Sequence, residues 1–216
     1  MKQKIRKIVE LHDPECWRAQ RPAEKRAWNR PALADQAIYR PDGVIPRSEL
    51  PLKPAAVLVP LVDRPEGLTV LLTKRSPKLT HHAGQVAFPG GRCDEEDENA
   101  IDTALREAQE EIGLLPEKVD IVGALEDYET VTGYTVSPVV GFVDPDFELV
   151  PDPSEVDEVF EVPLEFILDE NNQTLESRDW QGKKRHYYVC PHPEHYIWGA
   201  TAAMLVRFSR LLREMS

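Results

Sequence analysis

No apolar run in this chain approaches the roughly 18–20 residues that a helical membrane span requires. A membrane partner is therefore not expected. Cysteine is scarce: Cys16, Cys93 and Cys190 are the only three, and their wide spacing fits neither a zinc site nor a disulfide framework. Reduced thiols in a cytoplasmic protein are the simplest expectation. The basic residues 1–7 are followed by neither a long apolar stretch nor a small-residue cleavage site, so no secretory signal is expected. Internal repeats and low-complexity tracts are also missing. There is no Lys/Arg stripe, and the net charge is −12, which argues against nucleic acid as a partner. An acidic protein that handles anionic substrates must offset the repulsion. Divalent cations do so by bridging carboxylates to phosphates.

What is present supports a globular domain. At 41% apolar residues the chain can bury a core, and 216 residues suit one domain with appended termini. Residues 1–50 are expected to form a short helix (3–11) and an extended, proline-rich arm (21–51). Strand signals begin at Ala55. Residues 55–62 and 68–73 are apolar runs joined by Arg64-Pro65-Glu66-Gly67, which reads as a hairpin turn. Residues 86–88 read as a short strand ending at Pro89-Gly90-Gly91, and an acidic loop follows to Glu98. Residues 99–112 give the clearest helix, with Gly113 where a C-cap glycine belongs. Further strands are expected at 119–125 and 134–143, and a short helix at 162–169. Residues 186–189 and 196–198 should form a hairpin, and 200–213 a terminal helix. This order predicts an α/β fold, a mixed β-sheet sandwiched between helices.

The 99–112 helix carries two stripes. Ile101, Ala104, Leu105, Ala108 and Ile112 recur at core-facing spacing. Glu107, Glu110 and Glu111 fall within about one turn of each other on a second face. Taken alone, such a triplet is an ordinary solvated face. Its context is not ordinary. Arg106-Glu107-Ala108-Gln109-Glu110-Glu111-Ile112-Gly113-Leu114, preceded by Gly90-Gly91, resembles the signature of the Nudix hydrolases, with Ala108 in place of a bulkier apolar residue. The loop is one residue longer than usual. Asp97 has the signature distance from Gly91 and Glu98 has it to Arg106, so either can fill the first acidic position.

Leu71-Leu72-Thr73-Lys74-Arg75-Ser76, then Gly84-Gln85-Val86-Ala87-Phe88-Pro89-Gly90-Gly91, is similar to the extra motif of the coenzyme A pyrophosphatase branch of that family. Thr80 stands where the branch usually has an arginine, with Lys78, His81 and His82 nearby. The likeness extends through Gly133-Tyr134, Pro138 to Phe142, Val162-Pro163-Leu164 and Trp198 to Ala202, covering about residues 55–213.

This resemblance implies a Nudix fold over residues 51–216 and a diphosphate hydrolase dependent on Mg²⁺ or Mn²⁺. Glu107, Glu110, Glu111 and the Gly91 carbonyl would hold the metal. Arg106 would orient the glutamates rather than touch substrate. Arg75, His82 and Gln85 would contact the substrate, with Arg75 as a phosphate fork. The proton from water would pass to one of the helix glutamates or to a remote acid: Glu126, Asp127, Glu129 or Glu155. In this branch the substrate is coenzyme A or a derivative, a small nucleotide cleaved to 3′,5′-ADP and 4′-phosphopantetheine. Homodimers are frequent among Nudix enzymes. Two alternatives stand beside this reading. One is a Nudix hydrolase of ADP-ribose, NADH, a nucleotide sugar or a dinucleotide polyphosphate. The other is a Nudix binding module without turnover, against which three intact glutamates argue. A calcium loop at 94–98 lacks the glycine and ligand alternation it would need.

Overall fold

The computed structural model describes residues 1–12, 52–130, 132–180 and 183–214. The expected arm at 21–51 and Cys16 lie outside these residues. The described elements are α1 (Lys2–His12), β1 (Lys53–Arg64), β2 (Gly67–Arg75), β3 (Val86–Ala87), β4 (Gly90–Arg92), α2 (Ala100–Ile112), β5 (Val119–Ala124), β6 (Tyr128–Glu129), β7 (Tyr134–Val143), β8 (Val156–Pro163), α3 (Leu164–Leu168), β9 (Thr174–Trp180), β10 (Lys183–Pro191), β11 (Tyr196–Trp198) and α4 (Gly199–Glu214).

The centre of the main sheet is β1. It pairs in parallel with β7 along nearly its whole length and antiparallel with β2 through the 64–67 turn, so the expected hairpin forms. The near-continuous apolar run of β1 follows from burial on both faces. Ala56, Leu58 and Val62 point to α2, where they meet Ala100, Ala104, Ala108 and Ile112. Ala55, Val59 and Leu61 point the other way, into a core shared with Ile5, Ile8 and Val9 of α1 and Leu205 and Phe208 of α4. A strand's period of two assigns alternate residues to the two helical layers. The mixed sheet between helices is thus as expected.

Beyond the hairpin β1 and β2 diverge, and the segment before α2 fills the gap. Its first half, β3, pairs with β2; its second half, β4, pairs with β1. The switch occurs at Phe88-Pro89, where the Pro89 carbonyl accepts from the Leu58 N–H at 2.8 Å. This sets Gly90 and Gly91 beside Val57 and Ala56 of β1.

Three expectations need correction. The segment 162–169 is not one helix: Val162 and Pro163 end β8, and only Leu164–Leu168 is helical. β8 pairs antiparallel with β2, and its outward Asp157 and Glu158 hid it from an apolar-run reading. β9 was not expected either. Its residues are largely exposed and polar, and its pairing with β10 makes it a strand. The buried face of α2 is also rotated from the expected stripe. Ala104, Ala108 and Ile112 are buried, but Ile101 and Leu105 are only partly so, while Thr103 and Glu111 are buried. Among the described residues no helix is long and apolar enough to cross a membrane.

Candidate active site

The glutamate helix is held at both ends. The side chain of Asn99 accepts from the N–H groups of Ile101 (2.8 Å) and Asp102 (3.1 Å), capping the start. Gly113 takes the left-handed conformation at φ 71°, and the N–H groups of Gly113 and Leu114 return to the carbonyls of Gln109 and Ala108. The carbonyls of Glu111 and Ile112 accept from the N–H groups of Asp152 and Val150, each at 2.9 Å. The loop after β7 is thereby tied across the end of α2, which carries Glu155 to the site.

The three glutamates differ in depth. Side-chain exposure falls from 61% at Glu110 to 16% at Glu107 and 4% at Glu111. Glu111 Oε2 accepts from the Gly90 N–H at 3.2 Å, and Oε1 lies 3.5 Å from Arg75 Nη1. The Glu107 carboxylate rests against Gly91, where a Cβ would overlap it. Gly90 adopts φ 152° with its Cα against the Ala56–Val57 backbone, a position that only glycine fills without strain.

Burial pushes the Glu111 carboxyl up to about 7; the Gly90 N–H and Arg75 oppose the shift, while Glu107 and Glu155 add to it. Burial also raises Glu107, against the pull of Arg106 and with the repulsion of Glu110 and Glu155. Burial at the deep end of the helix therefore outweighs the nearby Arg75 and Arg106 charges. Hard carboxylate oxygens beside a backbone carbonyl turn are a donor set that fits a divalent cation. Among the described residues no three acidic, His or Cys side chains are already closed around one point.

Arg106 lies at the centre of a hydrogen-bonded cluster. Its guanidinium bonds Asp97 twice, Glu107 Oε1 and Glu110 Oε2 at 3.0 Å each, and the Arg92 carbonyl at 3.0 Å. These bonds, those to Asp97 foremost, raise its pKa, so it is a permanent cation. Partial burial works against the Asp97 charge, but bonds from Arg106, the Asp94 N–H and Thr103 outweigh it and hold the carboxyl below its usual range. Asp97 therefore fills the first acidic position. Glu98 is exposed and its N–H bonds Asp102, so it is the extra residue of the longer loop. Burial raises the Cys93 thiol, which disfavours a thiolate there.

On the opposite wall, Arg75 ends β2. Its N–H donates to the Gln85 carbonyl at 2.9 Å and its carbonyl accepts from the Gly84 N–H at 3.0 Å. His82 Nδ1 and Gln85 Oε1 lie 2.9 Å apart on the rim, with His82 in the left-handed region at φ 58°. Direct contacts thus join Arg75 to Glu111, Gly91 to Glu107, and Arg106 to Glu107 and Glu110, while Gln85 bonds the Arg75 backbone and His82 bonds Gln85. Of the four remote acids, Glu155 is the one whose charge reaches Glu107 and Glu111. Glu126 is paired with Arg207, and Asp127 accepts from Ser137 Oγ at 2.6 Å. Glu155 could not be singled out in the sequence, because a loop packed across α2 brings it there.

The NUDIX domain family model matches residues 52–184. The uncharacterized Nudix hydrolase NudL of Cronobacter sakazakii is 42% identical over 181 residues, covering 82% of this chain and 93% of its own. Nudix hydrolase 15, mitochondrial, of Arabidopsis thaliana is 43% identical over 169 residues, covering 75% of this chain and 59% of its own. Among solved structures, the Nudix hydrolase RenU of M. smegmatis shares the fold at a TM-score of 0.53 and 21% identity, over 84% of this chain and 97% of its own. A C. elegans Ap4A hydrolase does so at a TM-score of 0.50 and 17% identity, over 76% and 97%. With a signature helix packed on its glycine turn and relatives matched over most of its length, this chain belongs to the Nudix family, as a pyrophosphatase-type hydrolase of small nucleotide derivatives.

Proposed function

We propose that the protein cleaves the diphosphate of coenzyme A or its thioester derivatives, with Mg²⁺ or Mn²⁺ held by Glu107, Glu110, Glu111 and the Gly91 carbonyl. The observation that carries this reading is Arg75. The arginine of the upstream motif stands 3.5 Å from Glu111, so the segment that marks the coenzyme A branch lies against the signature helix.

The bound cations would neutralise the diphosphate and lower the pKa of an attacking water. The remaining work belongs to the chain. Arg106 fixes Glu107 and Glu110 through its ion pairs. The Gly90 N–H orients the Glu111 carboxylate. Arg75 binds diphosphate oxygens, a task that suits a planar fork at the end of a pinned strand. His82 and Gln85 meet the substrate at the rim. Water adds to one phosphorus as the bridging P–O bond breaks, and its proton passes to a carboxylate. Glu155 is the acid outside the helix placed to receive it. The products are 3′,5′-ADP and 4′-phosphopantetheine or its acyl form.

The test is turnover of coenzyme A, ADP-ribose, NADH and a dinucleotide polyphosphate, each with Mg²⁺ and with Mn²⁺, read by mass spectrometry. Preferential release of 3′,5′-ADP from coenzyme A is expected. Faster cleavage of another substrate would overturn the coenzyme A assignment, and no metal-dependent turnover would favour the binding module.

A further inference from the structure

Glu111 and Arg75 form a pair that cannot survive the arrival of a metal ion unchanged. Glu111 is 3% exposed, and its two oxygens are both engaged, Oε2 by the Gly90 N–H and Oε1 by Arg75. The first contact is compatible with a cation on the carboxylate. The second is not, because a guanidinium and a divalent ion on one oxygen repel each other. Among the described residues Glu111 is the one acid within ion-pair distance of Arg75. The Nε of Arg75 is screened from water and has no hydrogen-bond partner among the described residues. A buried donor without an acceptor is costly, and its presence here marks a group waiting for a ligand oxygen. The Arg75 backbone is pinned between Gln85 and Gly84, so only the side chain has room to change partners.

We propose that Arg75 is an exchangeable counter-cation of this site. It neutralises Glu111 before the divalent ion arrives, and the ion displaces its guanidinium from Glu111 towards the diphosphate of the substrate. Ion and diphosphate then bind cooperatively: the ion releases the fork, and the diphosphate oxygens accept hydrogen bonds from its Nε and Nη1. By linkage, the diphosphate tightens the ion by the factor by which the ion tightens the diphosphate. The proposal rests on the Nudix metal site described above, but not on coenzyme A being the substrate.

The test uses the full chain and needs no turnover. Free Mn²⁺ is titrated by electron paramagnetic resonance against wild type, Arg75→Gln and Arg75→Lys. The non-hydrolysable diphosphate α,β-methylene-ADP is then titrated with and without Mn²⁺. Arg75→Gln removes a competitor, so without diphosphate it should bind Mn²⁺ several-fold more tightly than wild type, with Arg75→Lys near wild type. In wild type Mn²⁺ should tighten the analogue by about tenfold, within the usual range of coupling between sites, and Arg75→Gln should lose most of that gain. Thermal melts show that the variants are folded. Equal or weaker Mn²⁺ binding by folded Arg75→Gln overturns the proposal, as does undiminished coupling in that variant. Wild-type protein that bound no Mn²⁺ would remove the metal site itself, and the proposal with it.

Discussion

Arg106 meets Asp97 nitrogen for oxygen, Nε to Oδ1 at 3.0 Å and Nη2 to Oδ2 at 2.9 Å. They stand nine positions apart in the chain, and the loop between closes so that the same guanidinium also reaches Glu107 and Glu110. A bidentate pair of this kind fixes direction as well as charge. Asp97→Asn should therefore loosen the two glutamates and lower kcat/KM by about 10–100-fold, the usual cost of losing a partner behind metal ligands. Glu98→Gln should change it little. Equal losses in the two variants would refute the assignment of Asp97.

Glu111 couples metal to stability. Its carboxyl titrates at about 7 in the folded chain, against 4.5 ordinarily. Below 4.5 both folded and unfolded states hold the proton, and nothing is lost. Between these values the folded state holds more protons, so stability falls as pH rises. Above 7 the penalty is of the order of 3 kcal/mol. In the presence of a chelator, Glu111→Gln should be more stable than wild type at pH 8 and similar to it at pH 4, by urea denaturation. Mg²⁺ should stabilise wild type and not the variant, and the variant should lose turnover.

The two glycines should fail in different ways. A methyl group at Gly90 meets the Ala56 and Val57 backbone at a φ that disfavours side chains, so Gly90→Ala should cost about 1–3 kcal/mol of folding stability. At Gly91 the obstacle is the Glu107 carboxylate, which can move aside. Gly91→Ala should keep most of its melting temperature and lose activity. Parallel melting curves and kcat values separate the two.

Asn99 acts on the helix and not on the chemistry. Removing its cap in Asn99→Ala should cost about 1 kcal/mol. The kcat of the remaining folded enzyme should be unchanged. A large fall in kcat without loss of stability would place Asn99 in the site.

Local pattern was enough for much of this protein. The β1–β2 hairpin, the helix from Asn99 to its glycine cap and the glutamate triplet at one-turn spacing are written in neighbouring residues, because turn chemistry and helical period are local properties. The motif spacing also named Arg75, Gly91 and Arg106. Other features depended on what packs against what. Sequence spacing left Asp97 and Glu98 equivalent; the fold chose Asp97, because only its carboxylate lies on the guanidinium of Arg106 while Glu98 faces solvent. Periodicity put Leu105 in the core and the glutamates outside it. Packing of α2 over β4 turned the helix so that Leu105 is only partly buried and Glu111 is buried. Strands β8 and β9, polar on their outer sides, became strands through pairing with β2 and β10. The sequence by itself determined which residue types are available and how they recur. Tertiary structure decided which of them are withdrawn from water and brought together from distant segments, as with Arg75, Glu111 and Glu155. Burial, and the charge imbalance it creates, is a property of the assembled fold.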